Sequence, residues 1–168
     1  MGTMKSTRKW LAMVSLAIAG TVAACSPQAA EQVPEPTSAA PSTHAESGLE
    51  VIPVTVTTDS GAHVFMSEVA DTREAQARGL MFRTEMGADE GMIFPYEPAQ
   101  QLGFWMRNTV LPLDIIFIGP DNLILNIAEG VPYNESSVYS DGPAIGVLEL
   151  NQGRAEELGI GPGDMVEW

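Results

Sequence analysis

The hexapeptide Leu113-Asp114-Ile115-Ile116-Phe117-Ile118 is apolar at five of its six positions. Successive side chains of a strand point to opposite faces, so a strand of this composition must be covered on both. It belongs at the centre of a sheet, with neighbours on either side. Gly119-Pro120-Asp121-Asn122 follows as a hairpin turn and leads into a second strand over 123–129. Around this pair the sequence predicts further short strands over 51–57, 62–70, 92–96, 102–106, 144–150 and 165–168. Pro53 and Pro95 mark edge-type positions. A helix is expected over 72–78, with Asp71 as N-cap, Glu74 completing a capping box and Gly79 as the left-handed C-cap. Residues 152–158 read as a helical turn or two, and 130–142 as a looser segment. Strands and helices do not alternate, which disfavours a doubly wound sheet. The expected fold is mainly β: a compact single-domain sandwich or barrel of about eight short strands with one or two short helices.

That domain is expected to span 49–168, because the upstream sequence has a different character. Lys5, Arg8 and Lys9 precede an apolar stretch from Trp10 to Ala24, followed by Cys25. Positive, apolar and small-residue regions in that order predict a lipoprotein signal peptide over 1–24. The apolar stretch falls short of the roughly 20 residues that span a bilayer core; an uncleaved anchor is the alternative. Cys25 is the single cysteine and is the expected lipidation site, giving a membrane partner through a lipid anchor. Its sequence resembles a lipobox, and that resemblance, with Ser26 in place of Asp, implies an exported protein held in the bacterial outer membrane and facing the periplasm. Residues 25–48 are rich in Pro, Ala and Ser with one large aliphatic residue, Val33. They read as a disordered tether reaching up to roughly 70 Å when extended.

The domain's five arginines meet nineteen Asp and Glu, leaving −14. Such a surface repels phosphate backbones, so nucleic acid is not an expected partner. His63 is the only His in the domain and reads as a strand residue, while His44 lies in the tether. Neither a metal site built from His and Cys nor any cofactor is expected. The glycines of 159–163 precede a last strand rather than a long helix, and read as a turn rather than a nucleotide site. Carboxylate chemistry stays open. Asp114, Glu149 and Asp164 lie in or beside apolar strands, where desolvation raises a carboxyl pKa unless a cation or hydrogen bonds answer it.

Two readings of residues 103–118 stay open. A hairpin folded about Val110-Leu111 would set Arg107 opposite Asp114 as an internal ion pair, with Asn108 and Thr109 satisfying the turn. Alternatively Trp105 and Arg107, on one face by strand parity, would line a pocket with Arg83. A Trp wall beside a guanidinium suits a carboxylate, a phosphate or a sugar acid.

The strings EVADTREAQARGLMFRTEMGADEGMIFPYE, FWMRNTVLPLDIIFIGPDN and VLELNQGRAEELGIGPGDMV resemble successive signature blocks of the domain-of-unknown-function 192 family, in order, over 50–168. The resemblance implies one compact β-rich domain and carries no activity with it. Arg107 stands where the family usually has Lys, so basicity matters more than a bidentate fork. Tyr133 stands where many members have Cys, so a thiol is not essential.

The function expected from the sequence is non-catalytic binding of a small anionic or glycan ligand by a lipid-anchored envelope domain. Its candidate residues are Arg83, Trp105, Arg107, Asn108 and Asp114. The alternatives are a carboxylate-dependent hydrolase acting on an envelope polymer, and a docking or assembly protein.

Overall fold

The computed structural model describes residues 42–168. The expected signal peptide, Cys25 and most of the expected tether lie outside the described residues. The elements run β1 (Ser42–Thr43), β2 (Glu50–Thr58), β3 (Gly61–Val69), α1 (Arg73–Arg78), β4 (Glu90–Phe104), β5 (Leu113–Ile118), β6 (Ile124–Gly130), β7 (Val138–Asn151), α2 (Arg154–Leu158) and β8 (Met165–Glu167). They form one mainly β domain with a single sheet ordered β1-β2-β3-β4-β7-β5-β6, with β8 pairing β2.

The sheet closes into a small barrel through β8. One edge of β8 pairs β2, with Val56 opposite Val166. The other meets the start of β6 by a Leu123–Met165 bridge, with Ile124 N donating to Asp164 O at 2.9 Å and Val166 N to Asn122 O at 2.8 Å. This closure covers the sheet's end at the start of β6 and along Thr55–Thr57 of β2. Val54, Phe65, Ile93, Ile116, Ile124, Leu148 and Val166, one or more from each barrel strand, fill the interior.

A second core covers the outer face of β4, β7 and β5. Met92, Phe94, Ile115, Phe117 and Val147 point outward there and are buried beneath Leu102, Met106 and Phe104. The cover comes from the distal half of a long ribbon: β4 pairs β7 over 92–95, shifts register, then pairs it again over 100–104. Phe104 packs edge-on against Phe94 at 5.0 Å and Phe117 at 6.1 Å. The expected strands 92–96 and 102–106 are thus one strand, and residues 138–142, expected to be loose, begin its partner β7.

The hairpin expected about Val110-Leu111 does not form. β7 lies between β4 and β5, pairing Ile115 with Glu149 and Asp114 with Leu150. Residues 107–112 form a loop instead, with Asn108 at φ 55°. The central position expected of Leu113–Ile118 is observed, and all six of its residues are buried.

Helix α1 starts one residue later than expected. Its N-cap is Thr72, whose hydroxyl accepts from Ala75 N at 3.1 Å, so Asp71 is displaced from that role; Gly79 caps the C-terminus at φ 49°. The ordered chain also begins before residue 49. Ser42 and Thr43 pair Val51 and Glu50, and His44 N donates to Leu49 O across the intervening turn. The backbone donors of β2's edge draw these residues out of the expected tether and into the sheet.

Candidate functional site

The five candidate residues divide into three places. Arg83 is buried beneath the β1–β2 turn and makes a fork-to-fork pair with buried Glu68, at 2.8 and 3.2 Å. Its Nε lies 3.2 Å from Glu46, and Ser47 Oγ donates to Glu68. With two carboxylates already on its guanidinium, Arg83 is committed to the fold and does not join Trp105.

Asp114 is also committed. Its Oδ1 accepts from Gly153 N at 3.1 Å and its Oδ2 from Ala155 N at 2.9 Å, so it caps α2 from a neighbouring strand. No ion pair joins it to Arg107. The mirror-hairpin expectation fails because Asp114 points to the barrel-interior face, beside Leu150, while Arg107 lies in an exposed loop.

Trp105, Arg107 and Asn108 do come together. Arg107 lies over the Trp105 ring, 5.5 Å from its centroid, and has no carboxylate partner among the described residues. Their loop is tied to two others by main-chain hydrogen bonds. Phe82 N donates to Asn108 O at 2.9 Å, Tyr133 N to Thr109 O at 3.1 Å, and Met106 N to Asn134 O at 2.8 Å. Phe82, Asn108 and Tyr133, one from each loop, all have positive φ, at 65°, 55° and 62°. A side chain in that region costs about 1–2 kcal/mol, and such conformations persist where neighbours fix them. The same three loops expose Phe82 (64 %), Tyr133 (63 %) and Trp105 (43 %). Sequence reasoning missed Phe82 and Tyr133. Their one signal was a bulky residue at a turn, and only the backbone angles reveal it.

Beside Trp105, between the C-terminal end of α1 (Gln76 to Met81) and the covered face of the sheet, is a cavity of about 40 Å³ that Phe94, Phe104, Thr109 and Glu149 also line. Glu149 projects from the outer face of β7, between Met92 of β4 and Ile115 of β5. It is 5 % exposed and has no hydrogen-bond or cationic partner among the described residues. Burial pushes its carboxyl up to about 8. The Tyr96 hydroxyl is raised as well, first by burial and then by the charge of Glu149.

The three strand carboxylates do not converge. Glu149 faces outward, Asp114 faces the barrel interior, and Asp164 accepts from Gly161 N within its own turn. Among the described residues no group of three or more His, Cys, Asp or Glu is placed to hold a metal ion. His63 lies on β3 opposite Val56, as a strand residue, with its Nε2 buried and unpartnered.

Fold and rim together define a class: a small closed β-barrel carrying a loop-built aromatic rim on its covered outer face. The chain belongs to the DUF192 family, described as "Uncharacterized ACR, COG1430", which it matches over residues 54–168. Among solved structures it is similar to a protein of unknown function from Novosphingobium aromaticivorans DSM 12444. That likeness has 57 % identity and a TM-score of 0.76, covering 78 % of this chain and 94 % of the other. It is also similar to a protein of Sinorhizobium meliloti 1021 described as a "putative transcription regulator". Here identity is 38 % and the TM-score 0.68, over 71 % of this chain and 94 % of the other. No curated protein matches the chain.

Proposed function

We propose that this protein is a lipid-anchored envelope protein that binds a small anionic or glycan ligand, without chemistry, at the Trp105–Arg107 rim. The carrying observation is the joining of three strained loops that expose Phe82, Trp105 and Tyr133, with the Arg107 guanidinium over Trp105 and without a carboxylate partner among the described residues. Flat aromatic faces stack on apolar sugar faces, and Arg107 supplies the donors for a carboxylate or phosphate. The dispersal of Asp114, Glu149 and Asp164 counts against a paired-carboxylate hydrolase. The description of the Sinorhizobium relative does not extend comfortably to this chain, whose net charge of −14 opposes a DNA backbone.

The anchor rests on the order of signal, Cys25 and Pro-rich segment. Mass spectrometry of the mature chain should find acyl groups on Cys25, and Cys25→Ser should release the protein from the membrane fraction. For the rim, the test is a thermal-shift screen of the full chain in detergent against envelope glycans and anionic metabolites. A ligand that raises Tm in the native protein should lose that effect in Trp105→Ala and Arg107→Ala. No response to any compound, or an undiminished one in both folded variants, removes the proposal.

A further inference from the structure

We propose that the Glu149 cavity is a cation site, taking an ammonium group or a small methylated ammonium. Three features of the site point there independently of whether the rim binds anything. First, the acid that lines it is placed among apolar neighbours, on the central strand of the covered face, where a carboxylate without a counter-charge is poorly accommodated. Among the described residues no Lys, Arg or His is bonded to it. Second, three aromatic side chains, Phe94, Phe104 and Trp105, line the cavity with the acid. Phe94 and Phe104 meet edge to face at 5.0 Å, and Trp105, itself partly exposed, lines the cavity beside them. Aromatic rings around one carboxylate are the chemistry that holds an ammonium head, each ring attracting the cation through its negative face. Third, the size is right. About 40 Å³ accommodates a water or a few, and so an ammonium head with little more than a methyl.

The groups around Glu149 leave that role open. Tyr96 on β4 presents a neutral hydroxyl. Thr109, from the 107–112 loop, spends its own hydroxyl on Arg107 O at 3.3 Å. Arg78 at the end of α1 lines the cavity, but it is exposed and forms no ion pair among the described residues. Met92 and Ile115, flanking Glu149 on the neighbouring strands, carry no charge. A monocation in the cavity would therefore meet a carboxylate that no side-chain cation pairs with among the described residues. Its entry displaces the carboxyl proton to solvent, so charge in the cavity stays balanced.

The test is a carboxyl-carbon NMR titration of the full chain in detergent, with methylammonium chloride as probe and sodium chloride at equal ionic strength as control. Glu149 is recognisable as the signal absent from Glu149→Gln. With sodium chloride it should titrate far above the other acids. Saturating methylammonium should lower that midpoint by about 1–3 pH units, the shift an adjacent opposite charge produces. Indole fluorescence should respond to methylammonium in the native chain and not in Glu149→Gln. An equal midpoint in the two salts overturns the site, as does a Glu149 midpoint in the ordinary carboxyl range or a fluorescence response that survives Glu149→Gln. None of these outcomes bears on the rim, which is probed with glycans and anions.

Discussion

Two buried acids, Glu149 and Glu68, show how the same group is tolerated by opposite means. Glu149 is left without a partner among the described residues, and its proton is held more tightly in the folded chain than in the unfolded one, where it titrates near 4.5. Between that value and about 8, folding takes up a proton, so stability falls as pH rises through the window. The stabilising contribution is fully present below 4.5 and gone above about 8. Urea unfolding across this range should show the native chain losing a few kcal/mol relative to Glu149→Gln, whose side chain keeps the shape and does not titrate. Parallel curves for the two would refute the assignment. Glu68 is instead answered by the Arg83 fork. Arg83→Met strips the partner from a buried charge and should cost about 3–5 kcal/mol, read as a fall in denaturation midpoint. Restoring neutrality with Glu68→Gln in the same chain should recover part of that loss, which a purely steric effect of the Met would not allow.

Among the elements, α2 depends on a residue far from it in sequence. It is five residues long, begins after a glycine and has no side-chain cap of its own. Asp114 supplies that cap from β5 through two backbone N–H groups. Hydrogen bonds to a charged group contribute about 1.5–3 kcal/mol each, so Asp114→Ala, which removes two, should destabilise the domain by about 3–6 kcal/mol. Amide exchange should then accelerate first at 153–158. The central strand carrying Asp114 was legible in the sequence because apolarity on both faces admits only one place in a sheet. Its partner was not. Folding 103–118 about Val110-Leu111 assumes that consecutive strands pair, a tendency rather than a rule, and β7 arrives from beyond β6 to separate them. Once β7 is in place, strand parity alone sends Asp114 inward and Glu149 outward. Trp105, Arg107 and Asn108 could be read as neighbours because they are adjacent in the chain. Phe82 and Tyr133 could not, because only the folded backbone joins their loops to Asn108 and Thr109.

At the scale of the whole molecule, the barrel's weak point is the edge of β2 shared by β1 and β8, where short strands complete a long one. Composition alone put 42–48 in the tether, since Ser, Thr, Ala and Gly carry little apolar area to bury. What holds them is polar instead. Ser42 and Thr43 take up β2's free backbone groups, Ser47 donates to Glu68, and Glu46 covers the outer edge of the Arg83 guanidinium. These residues therefore close the one buried ion pair of the described domain against water. A chain beginning at residue 49 leaves Glu68 short of a donor and opens Arg83 to solvent. The lost charge-assisted hydrogen bond is worth about 1.5–3 kcal/mol, while the exposed Glu46 contact adds little. Chains starting at 42 and at 49 should thus unfold in urea with similar slopes but separated midpoints, the longer one higher by about 2 kcal/mol in stability. Ser47→Ala in the longer chain should reproduce most of the difference. Coincident midpoints would return 42–48 to the tether and leave the Arg83–Glu68 pair self-sufficient.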